Sequence, residues 1–223
     1  MAAQESRKKS PPLRRDARRN RDLLVAAAQE LFAERGINVP LDEIAKRAGV
    51  GNATLYRRFP TRGDLVEAVF HGDLTAVMAA GERARAADDA WGALTAYLEG
   101  VCALIARDRG VSDLMTTGIE GAPTLDAIHV HNHATLSTLM RRAVADGELR
   151  TDVAPEDLLF ALSALGGSLP AVERVRPGSW RRPLALLLDG FRATAQRPLP
   201  EPALSAEETR HVHRELGGEP PTP

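Results

Sequence analysis

The stretch from residue 39 to residue 65 places the tightest constraint on what this chain of 223 residues can fold into. Two short segments, each with apolar residues along one side, flank the sequence Ala48-Gly49-Val50-Gly51. Pro40 is a good first residue for the first helix, because its missing N–H needs no partner there. Gly49 can adopt the left-handed conformation that ends a helix sharply. The pattern predicts a helix-turn-helix, a motif whose second helix enters the major groove of DNA.

The remainder of the chain is also predicted to be helical. Aromatic residues make up only 4% of the chain, whereas strands are enriched in β-branched and aromatic side chains. Apolar residues recur instead at spacings of three and four, the period of an amphipathic helix. We therefore predict an all-α protein with helices over residues 15–35, 40–48, 52–59, 61–85, 89–107, 111–118, 122–147, 155–170 and 179–195.

These helices are expected to form two domains. The first three make an N-terminal helix-turn-helix domain, residues 15–65, which we call the head, and residues 66–195 make a C-terminal helical bundle, which we call the body. Residues 1–14 are polar and basic, and residues 196–223 contain six prolines and few large apolar groups. Both ends are therefore predicted to be disordered, the first as a basic arm.

Charge is unevenly distributed along the chain. Residues 1–65 hold 14 Lys and Arg against 8 Asp and Glu, whereas the remainder holds 15 against 22. A basic N-terminal third on an acidic body suggests that one end meets a polyanion. No run approaches the roughly 20 apolar residues of a membrane span, and residues 1–19 lack the apolar run of a signal peptide. We expect a cytoplasmic protein without a membrane partner.

A series of residues in the head is similar to one known family. Residues 17–70 resemble the TetR family of repressors, in order and spacing, at Phe32, Gly36, Ile44-Ala45, Ala48-Gly49-Val50, Thr54-Leu55-Tyr56, Phe59-Pro60, Arg62 and Asp64-Leu65. The resemblance implies a DNA-binding head followed by an all-helical domain for ligand binding and dimerisation. The chain departs from the family pattern at Gly51, where a Ser-type helix cap is usual, and at Val39, where Thr is usual.

Some side chains in this motif are expected to contact bases and others the DNA backbone. Arg pairs well with guanine and Asn with adenine, so Asn52, Thr54 and Arg57 are expected at base edges, with Ala53 against a thymine methyl. The side chains expected to contact the DNA backbone are Lys46, Tyr56, Arg58, Thr61 and Arg62. The basic arm either reaches the phosphates or the minor groove, or is an unstructured solubilising tail, and both readings stay open.

The body is expected to enclose a pocket for a small-molecule effector. The predicted helix 122–147 places His129 and Asn132 on the same face as Leu125, Ile128 and Leu136, with His133 at its edge. Buried polar groups cost free energy unless they are paired, which suggests a ligand or water partner, with internal pairing as the alternative. Soft walls from neighbouring helices complete the candidate ligand-binding set, which is Cys102, Met115, His129, Asn132 and His133.

Neither a metal site nor an active site is expected. His129 and His133 are four residues apart, but His131 is predicted to point away, and no HExxH pattern or third ligand accompanies them. No catalytic triad, phosphate-binding loop or paired carboxylates stand out, so no cofactor is predicted. The alternative class, an all-helical enzyme or adaptor that carries a helix-turn-helix head, would need a catalytic cluster in residues 90–195.

Two apolar stripes predict a homodimer formed by the last two helices of the body. One recognition helix reads only a few base pairs, so a two-fold pair on a palindromic operator doubles the site. The stripes are Leu158, Leu162 and Leu165, and Leu184, Leu187, Leu188 and Phe191. The alternative is that both stripes are buried within one protomer. Together these features predict a ligand-responsive repressor, released from double-stranded operator DNA by a small molecule.

Overall fold

A computed structural model describes residues 12–116, 123–194 and 197–216. In those ranges the regular structure consists of α-helices, with one isolated β-bridge between Leu149 and Arg192. The helices are α1 (Pro12–Arg35), α2 (Leu41–Ala48), α3 (Asn52–Arg58), α4 (Arg62–Ala86), α5 (Ala90–Arg107), α6 (Arg109–Thr116), α7 (Pro123–Ala145), α8 (Pro155–Gly166), α9 (Leu169–Val175), α10 (Arg181–Phe191) and α11 (Ala206–Leu216). The all-α prediction is confirmed.

The head is a three-helix unit closed around fully buried apolar side chains. Phe32 of α1, Ile44 of α2 and Leu55 of α3 are all inaccessible to solvent. Gly49 has a φ of 65°, and the N–H of Val50 donates to the carbonyl of Ala45 at 3.0 Å, so the turn ends α2 as predicted. The helix-turn-helix therefore holds α3 by its inner face and leaves the outer face of that helix free.

Helix α4 joins the head to the body. Thr61 caps its first turn: the Thr61 hydroxyl accepts from the N–H of Asp64 at 3.1 Å, and the Asp64 carboxylate accepts from the N–H of Thr61 at 2.9 Å. This reciprocal pair fixes where the helix begins. Helix α4 packs on α1, where Phe70 stacks with Phe32, and it also packs on α5 and α7. One continuous helix thus contacts both domains.

The body is a bundle in which α5 packs against α4, α7 and α9, while α6 packs against α1 of the head. The buried face of α7 carries Leu125, Ile128, Leu136 and Leu139. No single helix in the described ranges is long and apolar enough to cross a membrane, although α8 and α9, bent by 47°, meet the length and composition test as a pair.

The ends of the chain differ from prediction. Helix α1 begins at Pro12 and so includes the last residues of the predicted arm; residues 1–11 lie outside the described structure. The tail predicted to be disordered contains α11, which packs on α8. Helix α11 begins with a capping box between Ser205 and Glu208, a spacing that is visible in the sequence. Ser205 Oγ accepts from the N–H of Glu208 at 3.3 Å, and the N–H of Ser205 donates to the Glu208 carboxylate at 2.8 Å.

The single helix predicted over residues 155–170 is in fact two. Helix α8 ends at Gly166 and α9 begins at Leu169, with Pro170 in its first turn. Proline at that place needs no N–H partner, so it favours a new start over continuation. The following helix is shorter than predicted and ends at Phe191.

Candidate nucleic-acid interface

Helix α3 presents its predicted DNA contacts on one exposed surface. Asn52, Ala53, Arg57 and Arg58 are exposed, Tyr56 is half exposed, and Thr54 is partly covered. Leu55 anchors the opposite side of the helix in the core of the head. The residues that the sequence assigned to DNA are therefore brought together, and none of those on α3 is needed for the core.

Basic groups from α1 extend this surface beyond α3. Arg58 Nη2 donates to the carbonyl of Ala17 at 3.2 Å, which holds the end of α3 against the early turns of α1. Arg18 and Arg19, one or two residues further along α1, are exposed. The guanidinium of Arg21 lies over the ring of Phe59, 5.8 Å from its centre. Exposed arginines of α1 thus follow the point where α3 meets this helix, which suits a polyanionic partner.

Two of the side chains predicted to contact the DNA backbone have partners inside the head. The hydroxyl of Thr61 is part of the cap of α4. Arg62 Nη1 donates to the carbonyls of Ile37 at 2.6 Å and Val39 at 2.7 Å, and partial burial lowers the pKa of its guanidinium. Arg62 thus holds the connection between α1 and α2, and its contact with phosphate stays a prediction. Lys46 is exposed on α2.

A residue that sequence reasoning missed holds the same connection from the body. The carboxylate of Asp113, on α6, accepts from the N–H of Ile37 at 3.0 Å. Gly36 has a φ of 84°, and a Cβ there would stand 2.1 Å from the Asp113 carboxylate. The connection therefore passes against α6 at a point where no side chain fits. Only the three-dimensional fold brings Asp113 to a residue 76 positions earlier.

The four predicted ligand-binding residues whose side chains the structure describes differ in burial. Asn132 is buried, and its Oδ1 accepts from the hydroxyl of Tyr97 at 2.6 Å, so internal pairing applies to that oxygen. Cys102 is buried, and burial raises the pKa of its thiol to about 12. His129 is exposed, and His133 lies beside Glu156, with Nε2 and Oε1 2.9 Å apart. The side chain of Met115 lies outside the described residues.

His131, which was predicted to point away from His129 and His133, faces α4. It lies against Gly81, where an added Cβ would stand 2.4 Å from the imidazole Nε2. Helix α4 packs along the side of α7 that carries residues 131 and 135, and a rotation of about 200° separates residue 129 from residue 131. His129 is therefore exposed and does not lie on the inner face where the sequence placed it. Among the described residues, no three His, Cys, Asp or Glu side chains are grouped as a metal ion requires.

The head and the body each match a family of known proteins. Residues 24–69 match the model of bacterial regulatory proteins of the tetR family, and residues 89–193 match the C-terminal domain of SbtR-like transcriptional regulators. A TetR transcriptional regulator of Streptomyces coelicolor is 32% identical, with a TM-score of 0.51 over 78% of this chain and 99% of that chain. The chain belongs to the TetR family. It is therefore a DNA-binding regulator of transcription.

Two further relatives of this TetR-family protein match over less of the chain or at lower identity. HTH-type transcriptional regulators of Staphylococcus aureus are 41% identical over 63 residues, which is 28% of this chain. The match spans about a third of their length, 34%. A complex of SmeT with triclosan has the same fold, with a TM-score of 0.53 at 22% identity, and covers 82% of this chain and 99% of that chain.

The dimerisation stripes of this TetR-family chain lie mostly in the protomer's own core. Leu158 and Leu162 of α8 are buried, as are Leu184, Leu188 and Phe191 of α10, while Leu165 and Leu187 are half-buried. The exposed apolar side chains on the same two helices are Phe160 and Leu186. Pairing of these helices with a second copy remains a prediction, but the side chains available for it differ from those that the stripes named.

Proposed function

We propose that the protein is a repressor that binds palindromic operator DNA as a homodimer in the cytoplasm and is released by a small-molecule effector. The observation that carries the proposal is the double attachment of the α1–α2 connection, which leads directly into the helix-turn-helix. Arg62 of α4 donates to the carbonyls of Ile37 and Val39 in this connection, and the carboxylate of Asp113 of α6 accepts from the N–H of Ile37. A shift of α4 or α6 in the body is therefore transmitted to the orientation of α3.

The far end of α4 is held just as firmly by the body. Arg142 of α7 donates to the carbonyls of Arg85 at 2.9 Å, Ala87 at 2.6 Å and Asp88 at 3.0 Å. Near its start, α7 is joined to α4 again, because Glu67 accepts from the N–H and the hydroxyl of Thr124. A ligand that changes how α7 packs on α4 acts on a helix whose other end positions the head.

An effector can change this balance only through a difference in affinity between the DNA-bound and released arrangements. The fold is compatible with such a ligand, since SmeT, a protein of the same fold, forms a complex with triclosan. In a dimer the two α3 helices must match half-sites about one helical turn apart, roughly 34 Å. A small rotation of each α4 is enough to disturb that spacing, so release needs no unfolding of the head.

The test is to select DNA fragments with the full-length protein and sequence those that it retains. We expect an inverted repeat, and retention that falls steeply between about 50 and 200 mM salt, because several phosphate contacts release counterions. Asp113→Ala is the matched variant for the coupling: it should retain the operator while its release by effector weakens. Retained DNA without dyad symmetry would contradict the homodimer, and an unchanged response in Asp113→Ala would contradict the coupling.

A further inference from the structure

A polar cluster lies where α4, α5 and α7 meet inside the body. Arg85 Nη1 donates to the hydroxyl of Thr135, which is fully buried, and lies 3.5 Å from Nε2 of His131. Asn132, on the same stretch of α7, pairs with Tyr97 of α5. Both of these are buried as well. Four polar side chains and one guanidinium thus lie together, from the buried Tyr97, Asn132 and Thr135 to the half-buried His131 and Arg85.

The guanidinium in this cluster has no acidic partner. Within the described residues, no carboxylate lies within 4.0 Å of Arg85, and the groups that it contacts are a hydroxyl and an imidazole. Arg107 of the body, by contrast, pairs with Asp73. Arg85 is half-buried, and a guanidinium forms its strongest hydrogen bonds with a carboxylate, which can accept from two of its N–H groups.

The groups around Arg85 do not supply the missing charge. Burial, followed by the nearby Arg85 cation, lowers the pKa of His131, while Glu82 and a backbone hydrogen bond with Met78 oppose that shift. The imidazole is therefore neutral at neutral pH. Glu82 itself is exposed. Burial raises the pKa of Tyr97 to about 12, so its hydroxyl stays protonated and remains a hydrogen-bond donor. The cluster therefore carries the positive charge of Arg85 and no compensating negative charge among the groups that contact it.

We propose that the effector of this protein is an organic anion, an acid whose carboxylate replaces Thr135 and His131 as the partner of the Arg85 guanidinium. The apolar part of the acid packs against α5 and α7 beside the cluster, while the Tyr97 hydroxyl keeps its hydrogen bond to Asn132. A charge-assisted contact of this kind is stronger than the neutral contacts it displaces. A cationic effector is disfavoured, because Arg85 would repel it.

The position of Arg85 connects this site to the head. It lies in the last turn of α4, and its own carbonyl is one of the three held by Arg142. Gly81, one turn earlier, lets α4 approach α7 closely enough for His131 to lie against it. An acid that draws the guanidinium away from Thr135 therefore changes the contact of α4 with α7. This consequence rests on the proposed function, whereas binding of the acid does not.

The experiment measures binding of matched acids and alcohols to the full-length protein by calorimetry and thermal unfolding. The probes are octanoate with 1-octanol, and benzoate with benzyl alcohol. We expect at least one acid to bind and raise the unfolding midpoint while its alcohol does not. Arg85→Gln should weaken that acid at least about tenfold, and the exposed Arg83→Gln on the same helix should leave it unchanged.

Thr135→Val keeps the guanidinium and removes its neutral partner, so it tests the site if Arg85→Gln fails to fold. Acid affinity should hold or rise in this variant, and a loss would overturn the proposal. Equal binding of acid and alcohol, wild-type affinity in Arg85→Gln, or no binding of either acid would overturn it as well. Operator retention is measured separately with each acid. Acid binding without release of DNA supports the anion site and contradicts only the effector role.

Discussion

Tyr56 and Arg57 are neighbours on the exposed side of α3, yet their side chains suit different parts of DNA. A guanidinium reads a base edge, whereas a phenol hydroxyl on the flank of the helix meets phosphate. Arg57→Ala should cost roughly 1–3 kcal/mol on the preferred operator and relax the preference at one base position. Tyr56→Ala should weaken all sequences by a similar factor. Binding to an operator library checks both, and two variants with the parent's profile would contradict these roles.

Arg62 provides the opposite case, a basic residue of the motif whose charge is directed inward. Arg62→Met removes both hydrogen bonds to the α1–α2 connection and leaves two carbonyls without that partner. We expect a loss of about 1–3 kcal/mol in the free energy of unfolding. Arg47→Met, which breaks an exposed pair with Glu30, is the control and should cost under about 1 kcal/mol. Urea unfolding measures both.

A different result would return Arg62 to the DNA interface. If Arg62→Met is as stable as the parent and the slope of log affinity against log salt falls by about one, the side chain contacts a phosphate. The two readings thus give separate signatures, one in unfolding and one in the salt dependence of binding.

At the scale of helices, the seam between α4 and α7 should respond to pH through His131. The pKa of His131 in the folded chain is below its usual value of 6.5, chiefly through burial. As pH falls through 6.5, the unfolded chain takes up a proton that the folded chain resists, so stability decreases. The groups that face the ring are Arg85, which strengthens the effect, and Glu82, which opposes it. Urea unfolding of the parent and of His131→Gln between pH 5 and 7.5 should show a shallower slope in the variant; equal slopes would contradict the assignment.

Helix existence was predictable from sequence because apolar periodicity and caps are local. Gly49 ended α2 and Thr61 began α4 where the sequence placed them. The capping box at Ser205 was an equally local signal for α11, but the surrounding prolines outweighed it. Side-chain roles were harder, because they depend on which helix packs where. Neither the inward direction of Arg62 nor the contact of His131 with α4 can be read from spacing along one helix.

At the scale of the whole molecule, dimerisation should depend on the apolar groups that the protomer leaves exposed. Leu186 of α10 is 63% exposed and Phe160 of α8 is 43% exposed, whereas the predicted stripes are buried within the body except at the half-buried Leu165 and Leu187. Phe160→Asp and Leu186→Asp each place a charge on this surface, where burial against a second copy would strip it of water. The parent should sediment at twice the chain mass at micromolar concentration, and each variant should shift toward the monomer.

The control for this experiment is Val175→Asp, on α9, which changes a side chain that is 87% exposed. It should leave the dimer intact, because the substitution introduces the same charge on a helix other than the two predicted to pair. The dissociated variants should also lose most operator affinity, since a single α3 reads only one half-site. Their heads should remain folded, because Phe160 and Leu186 lie outside the core that supports α3. A parent that sediments as a monomer would contradict the homodimer, whereas a dimer that survives both substitutions would place the interface on another face of the body.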